Sequence, residues 1–288
     1  MRTGSKGRSV ECWERMPVSM KRRANAVAAI MLLVPLCLMS ACLGGASTAF
    51  VIAGSTSVQP YAEILAEEYA HAHPETVIDV QGGGSSAGIT AVESGTADIG
   101  MSSRNLKESE QHLWSVEITK DGLAIIVNPE NPVRELTLEQ LRGIYAAEIV
   151  NWRQVGGPDA KIHIIVREEG SGTRSAFEEM VMAEKRISPK AIVQDSNGAV
   201  RQLVAGDRHS VGYISMGLVD IGQNPVIALR INGAEASREN IINGSYNLFR
   251  PFLFVAQDEP TGPIRHFIDY ICSPEGKRIL ADEGLIPE

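Results

Sequence analysis

Apolar and polar positions follow two alternating patterns along the chain. Short apolar runs predict β-strands at residues 49–55, 76–81, 97–103, 123–128, 161–166, 209–216, 226–233 and 249–257. Apolar spacings of three and four predict helices at residues 61–73, 89–93, 137–146, 174–183, 196–206, 261–272 and 273–284. Thr137 with Gln140 forms a capping-box signature at one helix start. This alternation predicts an α/β fold with mostly parallel sheets and right-handed crossovers.

One local feature recurs four times where a predicted strand ends. The segments are GSTS at 54–57, GGSSAG at 83–88, MSSR at 101–104 and GSGTR at 170–174. In open α/β sheets the carboxyl ends of strands line one edge, where ligands bind. Hydroxyls and free helix amides suit an oxyanion, so we expect these turns to converge on one. Ser and Thr also cap helices without any ligand, and that explanation stays open for each turn alone.

The GSGTR turn carries the strongest candidate chemistry. Arg167 ends the preceding strand, and its guanidinium is a planar fork of donors matched to an oxyanion. Ser171 and Thr173 add hydroxyls, and the backbone near Gly172 adds amides. A capped helix with a surface salt bridge explains the same residues equally well.

An enzyme is the second hypothesis, because Gly84, Ser86 and Gly88 fit the GxSxG elbow of serine hydrolases. The elbow needs a base, and the available histidines are His112, His163, His209 and His266. None lies in a recognisable catalytic loop. Asp121, just before an apolar run, is either a turn residue or a carboxylate at the edge of a site.

Residues 1–41 have the features of a bacterial lipoprotein signal peptide. Basic residues at 21–23 precede an apolar stretch at 24–38, too short to span a membrane, and Leu38-Met39-Ser40-Ala41-Cys42 resembles a lipobox. We expect cleavage before Cys42 and lipidation of that residue, with an upstream start-site extension before residue 21. An ordinary signal peptide or a short core segment is the alternative.

Processing changes both the charge and the cysteine inventory. The chain has 27 basic and 35 acidic residues; residues 1–41 hold seven and two of these, which leaves a net charge of −13. So acidic a body is a poor partner for nucleic acid. Cys42 and Cys272 alone survive cleavage, which rules out a disulfide framework, and we expect Cys272 to be buried. No cysteine or histidine cluster supports a metal, and no motif implies a cofactor.

Several long segments, in order, carry a family resemblance. AGSTSVQPYAEILAEEY, VQGGGSSAGITAVESGTADIGMSSR, DGLAIIVNPENPV, LTLEQLRGIYAAEIVNWRQVGG and REEGSGTRSAFEEMVM resemble the phosphate-binding lipoproteins of phosphate ABC importers. The resemblance runs from about residue 50 to the C-terminus. It implies a monomeric extracytoplasmic receptor, anchored to the membrane through Cys42, that delivers inorganic phosphate to the transmembrane subunits of a permease. It implies no enzymatic activity.

The resemblance also implies an architecture and a site. The expected fold is the two-lobed periplasmic-binding-protein-like fold (type II), with mixed, mostly parallel sheets and a ligand cleft between lobes. One lobe is expected at 48–124 plus 248–288 and the other at 125–247, with crossings near Ile125 and Phe249. The positions that match phosphate contacts in the family are Thr56, Ser57, Ser85, Ser103, Arg167, Ser171, Gly172 and Thr173.

Ser103 departs from part of the family, in which many members have an aspartate that accepts the proton of phosphate. A buried acceptor would select phosphate over sulfate, which has no proton near neutral pH. A serine hydroxyl can also accept, and Glu169 or Asp121 could supply a carboxylate instead. A receptor for sulfate or molybdate, or a lipoprotein with a vestigial site, therefore stays open beside phosphate.

Overall fold

The structure, a computed structural model, describes residues 48–220 and 225–287, so Cys42 and the predicted leader lie outside the described residues. The strands are β1 Thr48–Gly54, β2 Thr76–Gly82, β3 Ile99–Ser102, β4 Trp114–Val127, β5 Glu135–Leu136, β6 His163–Arg167, β7 Ile192–Gln194, β8 Ser210–Ser215, β9 Ile227–Ala228, β10 Arg230–Ile231 and β11 Phe249–Ala256. The helices are α1 Gln59–Ala72, α2 Ser85–Glu93, α3 Leu138–Tyr145, α4 Gly172–Phe177, α5 Asn197–Gly206, α6 Arg238–Ile242, α7 Gly262–Cys272 and α8 Pro274–Asp282. Within the described ranges, no helix has the length and apolar character needed to cross a membrane.

One mixed sheet runs through the molecule in the order β2-β1-β3-β11-β4-β8-β6-β7. The pairings at both ends are parallel, as expected for strands linked by crossover helices. The middle is antiparallel, because the long strand β4 pairs with β11 through its first part and with β8 from Leu123 onward. The predicted mixed α/β architecture is confirmed.

Two large apolar cores lie along this sheet. The first packs α1 and α7 on β1 and β11, with Tyr61 and Phe267 among its buried side chains. The second surrounds β6 and β8, where Phe177 and Tyr213 stack with ring centroids 4.1 Å apart. Strand β4 contributes Ile118 to the first core and residues from Leu123 onward to the second. The two cores are therefore connected by continuous strand.

Some local predictions were wrong. Asp121 is not a turn residue but lies inside β4, where an arginine on the neighbouring strand stabilises its buried carboxylate. The predicted strand at 226–233 is divided into β9 and β10, because these pair with different strands, β4 and β5.

Two further predictions near helix ends were also wrong. The predicted helix at 174–183 is α4 followed by a π-helical turn at Glu178–Met182. Cys272 is only partly buried, because it is the last residue of α7.

Candidate functional site

The four hydroxyl-bearing turns all follow strand ends, as the sequence predicted. Strands β1, β2 and β3 are parallel neighbours, so their carboxyl ends lie on one edge of the sheet. Strand β6 ends at Arg167 and leads to the fourth turn. We call Thr56, Ser57, Ser85 and Ser103 the first half-site. We call Arg167, Ser171, Gly172 and Thr173 the second half-site.

Hydroxyls of the first half-site form a buried chain. The amide of Ser57 donates to Ser55 Oγ at 3.2 Å, and the Ser55 hydroxyl donates to Ser103 Oγ at 2.8 Å. The amide of Ser103 donates to Ser85 Oγ at 3.1 Å, and the Ser85 and Ser103 oxygens lie 3.4 Å apart. These four serines are almost fully buried. Their geometry therefore brings three separate turns within hydrogen-bonding distance of one another.

Arg167 dominates the second half-site and is only 1% exposed. Its Nε and Nη2 each donate at 2.8 Å to a carboxylate oxygen of Glu168, a fork-to-fork ion pair. Nη2 also donates to Thr56 Oγ1 at 3.1 Å and to the carbonyl of Asp195 at 3.0 Å. Nη1 is buried and has no hydrogen-bond partner among the described residues. A buried guanidinium donor without a partner is costly, so an acceptor would be stabilised there.

The two half-sites contact each other directly. Ser57 Oγ and Thr173 Oγ1 lie 2.8 Å apart, and the amide of Ser86 donates to the carbonyl of Gly170 at 3.0 Å. Gly172 allows this approach because it has no side chain. A Cβ at that position would lie 2.5 Å from Ser103 Oγ, which is too close for a carbon and an oxygen that are not bonded. The eight predicted site residues are thus brought to one place.

Ser171 has the capping role that the sequence left open. It is the N-cap of α4, and its Oγ accepts from the amide of Arg174 at 3.3 Å. This bond uses the oxygen and leaves the hydroxyl proton free to donate, so capping and ligand binding are compatible.

Besides Ser55 and Glu168, two more residues outside the predicted set, Asn197 and Arg250, join the cluster. Asn197 Nδ2 donates to Ser57 Oγ at 2.9 Å, and Arg250 Nη2 donates to the same oxygen at 3.2 Å. Arg250 also pairs with Asp121 at 2.9 Å. A signal existed for both charged residues, because a charge within an apolar strand pattern is seldom buried without a partner. Nothing local in the sequence marks Asn197.

Neither carboxylate proposed as a substitute for an aspartate at position 103 is free in the cluster. Glu169 is exposed, and its neighbour Glu168 is the residue that pairs with Arg167. Both oxygens of Asp121 accept hydrogen bonds, from Ser215 and Arg250. Burial raises the pKa of Asp121, opposed by Arg250 and the Ser215 hydroxyl. The groups within hydrogen-bonding distance of Ser103 Oγ are hydroxyls.

The hydrolase alternative has no supporting geometry. Ser86 lies in the first turn of α2, and its Oγ accepts from Arg104 Nη2 at 3.4 Å. Within residues 48–220 and 225–287, no hydrogen bond connects Ser86 to a histidine, and His163 instead pairs with Asp207 at 2.6 Å. The same residues contain no cluster of His, Cys, Asp or Glu able to hold a metal.

Comparison with known proteins assigns the family. The sequence profile of the PBP superfamily domain matches residues 43–275. The phosphate-binding protein PstS of Bacillus subtilis is 30% identical over 247 residues, which cover 84% of this chain and 81% of that protein. The chain belongs to the PstS family of phosphate-binding proteins.

Solved structures of the family share the fold over most of the chain. A crystal structure of a candidate phosphate ABC transporter substrate-binding protein from Clostridium perfringens, with bound phosphate, has a TM-score of 0.80 at 41% identity. The matched region covers 84% of this chain and 100% of the Clostridium perfringens chain. An ABC-type phosphate transport receptor from Vibrio cholerae has a TM-score of 0.69 at 40% identity, with the same coverage. The fold is therefore the two-lobed periplasmic-binding-protein-like fold that the sequence predicted.

Proposed function

We propose that this protein is an extracytoplasmic receptor that binds inorganic phosphate and delivers it to the transmembrane subunits of an ABC permease. The observation that carries the proposal is Arg167, a buried guanidinium with an unpartnered donor among hydroxyls of both half-sites. Membership of the PstS family supports the same conclusion. The protein is a receptor and not an enzyme, since its relatives are named as binding and transport proteins.

The proposed contacts are hydrogen bonds to phosphate oxygens. Arg167 supplies the charge, and Gly172 supplies its backbone amide, in the first turn of α4. The hydroxyls come from Thr56, Ser57, Ser85, Ser103, Ser171 and Thr173. Charge-assisted hydrogen bonds contribute about 1.5–3 kcal/mol each, so roughly eight would exceed the ~8 kcal/mol of a micromolar complex. The surplus would offset desolvation of the anion and ordering of the site.

The proposed lobes are residues 48–124 plus 248–288 and residues 125–247. The two apolar cores and the strands β4 and β11 that pass between them support this division. On this division the first half-site belongs to one lobe and the second half-site to the other. A ligand bound by both half-sites would favour the closed arrangement of the lobes.

Membrane attachment is proposed through a lipid on Cys42, after removal of residues 1–41. The basic, apolar and lipobox-like segments of the leader support this. The receptor would then act as a monomer, tethered close to its permease on the outer face of the cell membrane.

A receptor for sulfate or molybdate is the second candidate, and Ser103 is the observation that favours it. The groups that hydrogen-bond to Ser103 Oγ in the described structure are hydroxyls. A hydroxyl can donate a hydrogen bond to an anion without a proton, and it can also accept the proton of phosphate, so hydroxyls alone do not exclude sulfate.

Calorimetric titration of the ligand-stripped protein distinguishes the two candidates. Phosphate and then sulfate would be titrated at about pH 6 and about pH 8, a range in which phosphate keeps at least one proton and sulfate has none. Tight phosphate binding without sulfate binding is the expected result. Equal binding of sulfate would remove the phosphate assignment, and binding of neither anion would indicate a vestigial site.

A further inference from the structure

The Ser57 hydroxyl has two donors aimed at its oxygen. Asn197 Nδ2 lies 2.9 Å and Arg250 Nη2 lies 3.2 Å from Ser57 Oγ. A hydroxyl has one proton and two lone pairs, and a guanidinium cannot accept a hydrogen bond. If both lone pairs are occupied, Ser57 can only donate, and Thr173 Oγ1 at 2.8 Å accepts its proton in this structure.

The orientation of the Asn197 amide follows from its other contact. The backbone amide of Ser215 lies 3.3 Å from Asn197 Oδ1 and is an obligate donor, so the atom facing it must be the oxygen. The NH₂ group of Asn197 is thereby directed toward Ser57. It also lies 3.5 Å from Thr56 Oγ1, which already accepts from Arg167 at 3.1 Å. Thr56 is consequently a donor toward a ligand as well.

Arg250 is fixed just as firmly. It faces Asp121 in the antiparallel register of β4 and β11, and the two side chains pair at 2.9 Å. The Ser215 hydroxyl holds the other carboxylate oxygen at 2.8 Å. Arg250 is 3% exposed, and its Nε and Nη1 have no hydrogen-bond partner among the described residues. A second cation, with spare donors, thus lies directly behind Ser57.

Ser103 differs from these hydroxyls. The Ser55 hydroxyl donates to its oxygen at 2.8 Å, and Ser85 Oγ lies 3.4 Å away, where either hydroxyl can be the donor. When Ser103 donates to Ser85, one lone pair of Ser103 stays available. Ser103 can therefore accept one ligand proton, whereas Ser57 and Thr56 cannot. The dianion of phosphate has one proton and the monoanion has two.

We propose that Arg250 and Asn197 are positioning residues that hold Ser57 as a hydrogen-bond donor, so that the site prefers the dianion of its oxyanion ligand. This inference rests on the proposed function and adds to it the protonation state that the site selects. A second ligand proton directed at Ser57 or Thr56 would meet a hydroxyl that already has its two acceptor positions filled, which leaves two donors facing each other.

The test measures the phosphate dissociation constant between about pH 6 and about pH 8, across the second ionisation of phosphate, for the wild-type protein and two Arg250 variants. Wild-type affinity is expected to rise with pH. Arg250→Met frees a lone pair on Ser57, so affinity at the upper pH should fall roughly tenfold or more and the pH dependence should flatten. Arg250→Lys keeps a cationic donor and should restore part of the pH dependence.

Two controls separate positioning from folding. Arg104→Met removes another buried guanidinium, one that pairs with Glu110 and has no bond to Ser57, and should leave the slope against pH unchanged. In a Ser57→Ala background, Arg250→Met should cost little more affinity, because the hydroxyl through which it acts is gone. Thermal unfolding verifies that each variant is folded. If an Arg250 variant does not fold, Asn197→Ala replaces it, because this change removes the other, uncharged donor to Ser57 Oγ.

The outcomes distinguish a failure of this inference from a failure of the proposed phosphate-binding function. An unchanged pH slope in both Arg250→Met and Asn197→Ala, or full additivity with Ser57→Ala, would overturn the positioning role. Wild-type preference for the monoanion would overturn it while phosphate binding stands. Absence of phosphate binding by the wild-type protein at every pH would overturn the inference and the proposed function together.

Discussion

At the scale of single residues, Arg167 carries the most concentrated chemistry of the site. Its ion pair with Glu168 orients the guanidinium. Because the guanidinium is buried, leaving its remaining donor atom Nη1 without a hydrogen bond costs free energy. The sequence marked Arg167 because it ends a strand just before a glycine-rich turn. Its partner Glu168 was not predicted, although it is the adjacent residue.

Arg167→Ala should abolish detectable phosphate binding while the protein stays folded. Losing two or more charge-assisted hydrogen bonds corresponds to roughly a hundredfold weaker binding or more. Calorimetry measures the affinity, and circular dichroism verifies the fold. Arg167→Lys keeps the charge without the planar fork and should recover only part of the affinity. A titration curve for the alanine variant that overlays the wild-type curve would contradict the central role of Arg167.

At the scale of elements, the turn before α4 determines how closely the half-sites approach. Gly172 packs against the first half-site without a side chain, and Ser171 caps the helix behind it. The same glycine-rich sequence therefore serves helix initiation and close contact between turns.

Gly172→Ala should weaken phosphate binding roughly tenfold or more, since an added Cβ overpacks the space beside Ser103 at about 1–3 kcal/mol. Calorimetry compares it with Gly206→Ala, a matched change in α5, where nothing lies within 4 Å of the new Cβ. The control should bind normally and gain up to about 1 kcal/mol of stability. Equal affinity for both variants would show that the approach at Gly172 is not required.

At the scale of the whole molecule, we expect buried ion pairs to contribute to the acid stability of the fold. Arg104 forms a two-pronged pair with Glu110, at 2.7 and 2.8 Å. Burial raises the pKa of Glu110, but hydrogen bonds from Arg104 and from the Lys107 amide outweigh burial and hold the pKa below its usual range. A depressed carboxyl pKa stabilises the fold above the unfolded-state pKa, and that stabilisation is lost as pH falls through the folded value.

Glu110→Gln should therefore lower the free energy of unfolding at neutral pH and reduce its decline below about pH 4.3, the ordinary pKa of a glutamate. Urea unfolding at several pH values measures both effects. Glu275→Gln is the control, because Glu275 pairs with Arg278 at the surface, where ion pairs contribute little. An unchanged acid slope for Glu110→Gln would show that other groups control acid unfolding.

Local pattern predicted most elements, because strand and helix periodicities depend on nearby residues. The capping box at Thr137 is present, with Gln140 donating its amide to Thr137 Oγ1 at 3.1 Å. The predicted strands at 226–233 and 123–128 were misjudged, because strand length depends on pairing with distant partners. Periodicity alone could not indicate that β4 continues through Asp121 to pair with two strands in turn.

The sequence by itself determined the strand-turn-helix units, since glycines, hydroxyls and an arginine at strand ends are local features, and its resemblance to a known family implied the eight candidate residues. Only the tertiary structure decided which donors face which acceptors. Arg250 meets Asp121 because β11 pairs with β4 in one register, and Asn197 reaches Ser57 across 140 positions of sequence. Whether each hydroxyl donates or accepts a hydrogen bond depends on such distant neighbours, because the fold decides which donors lie next to its lone pairs.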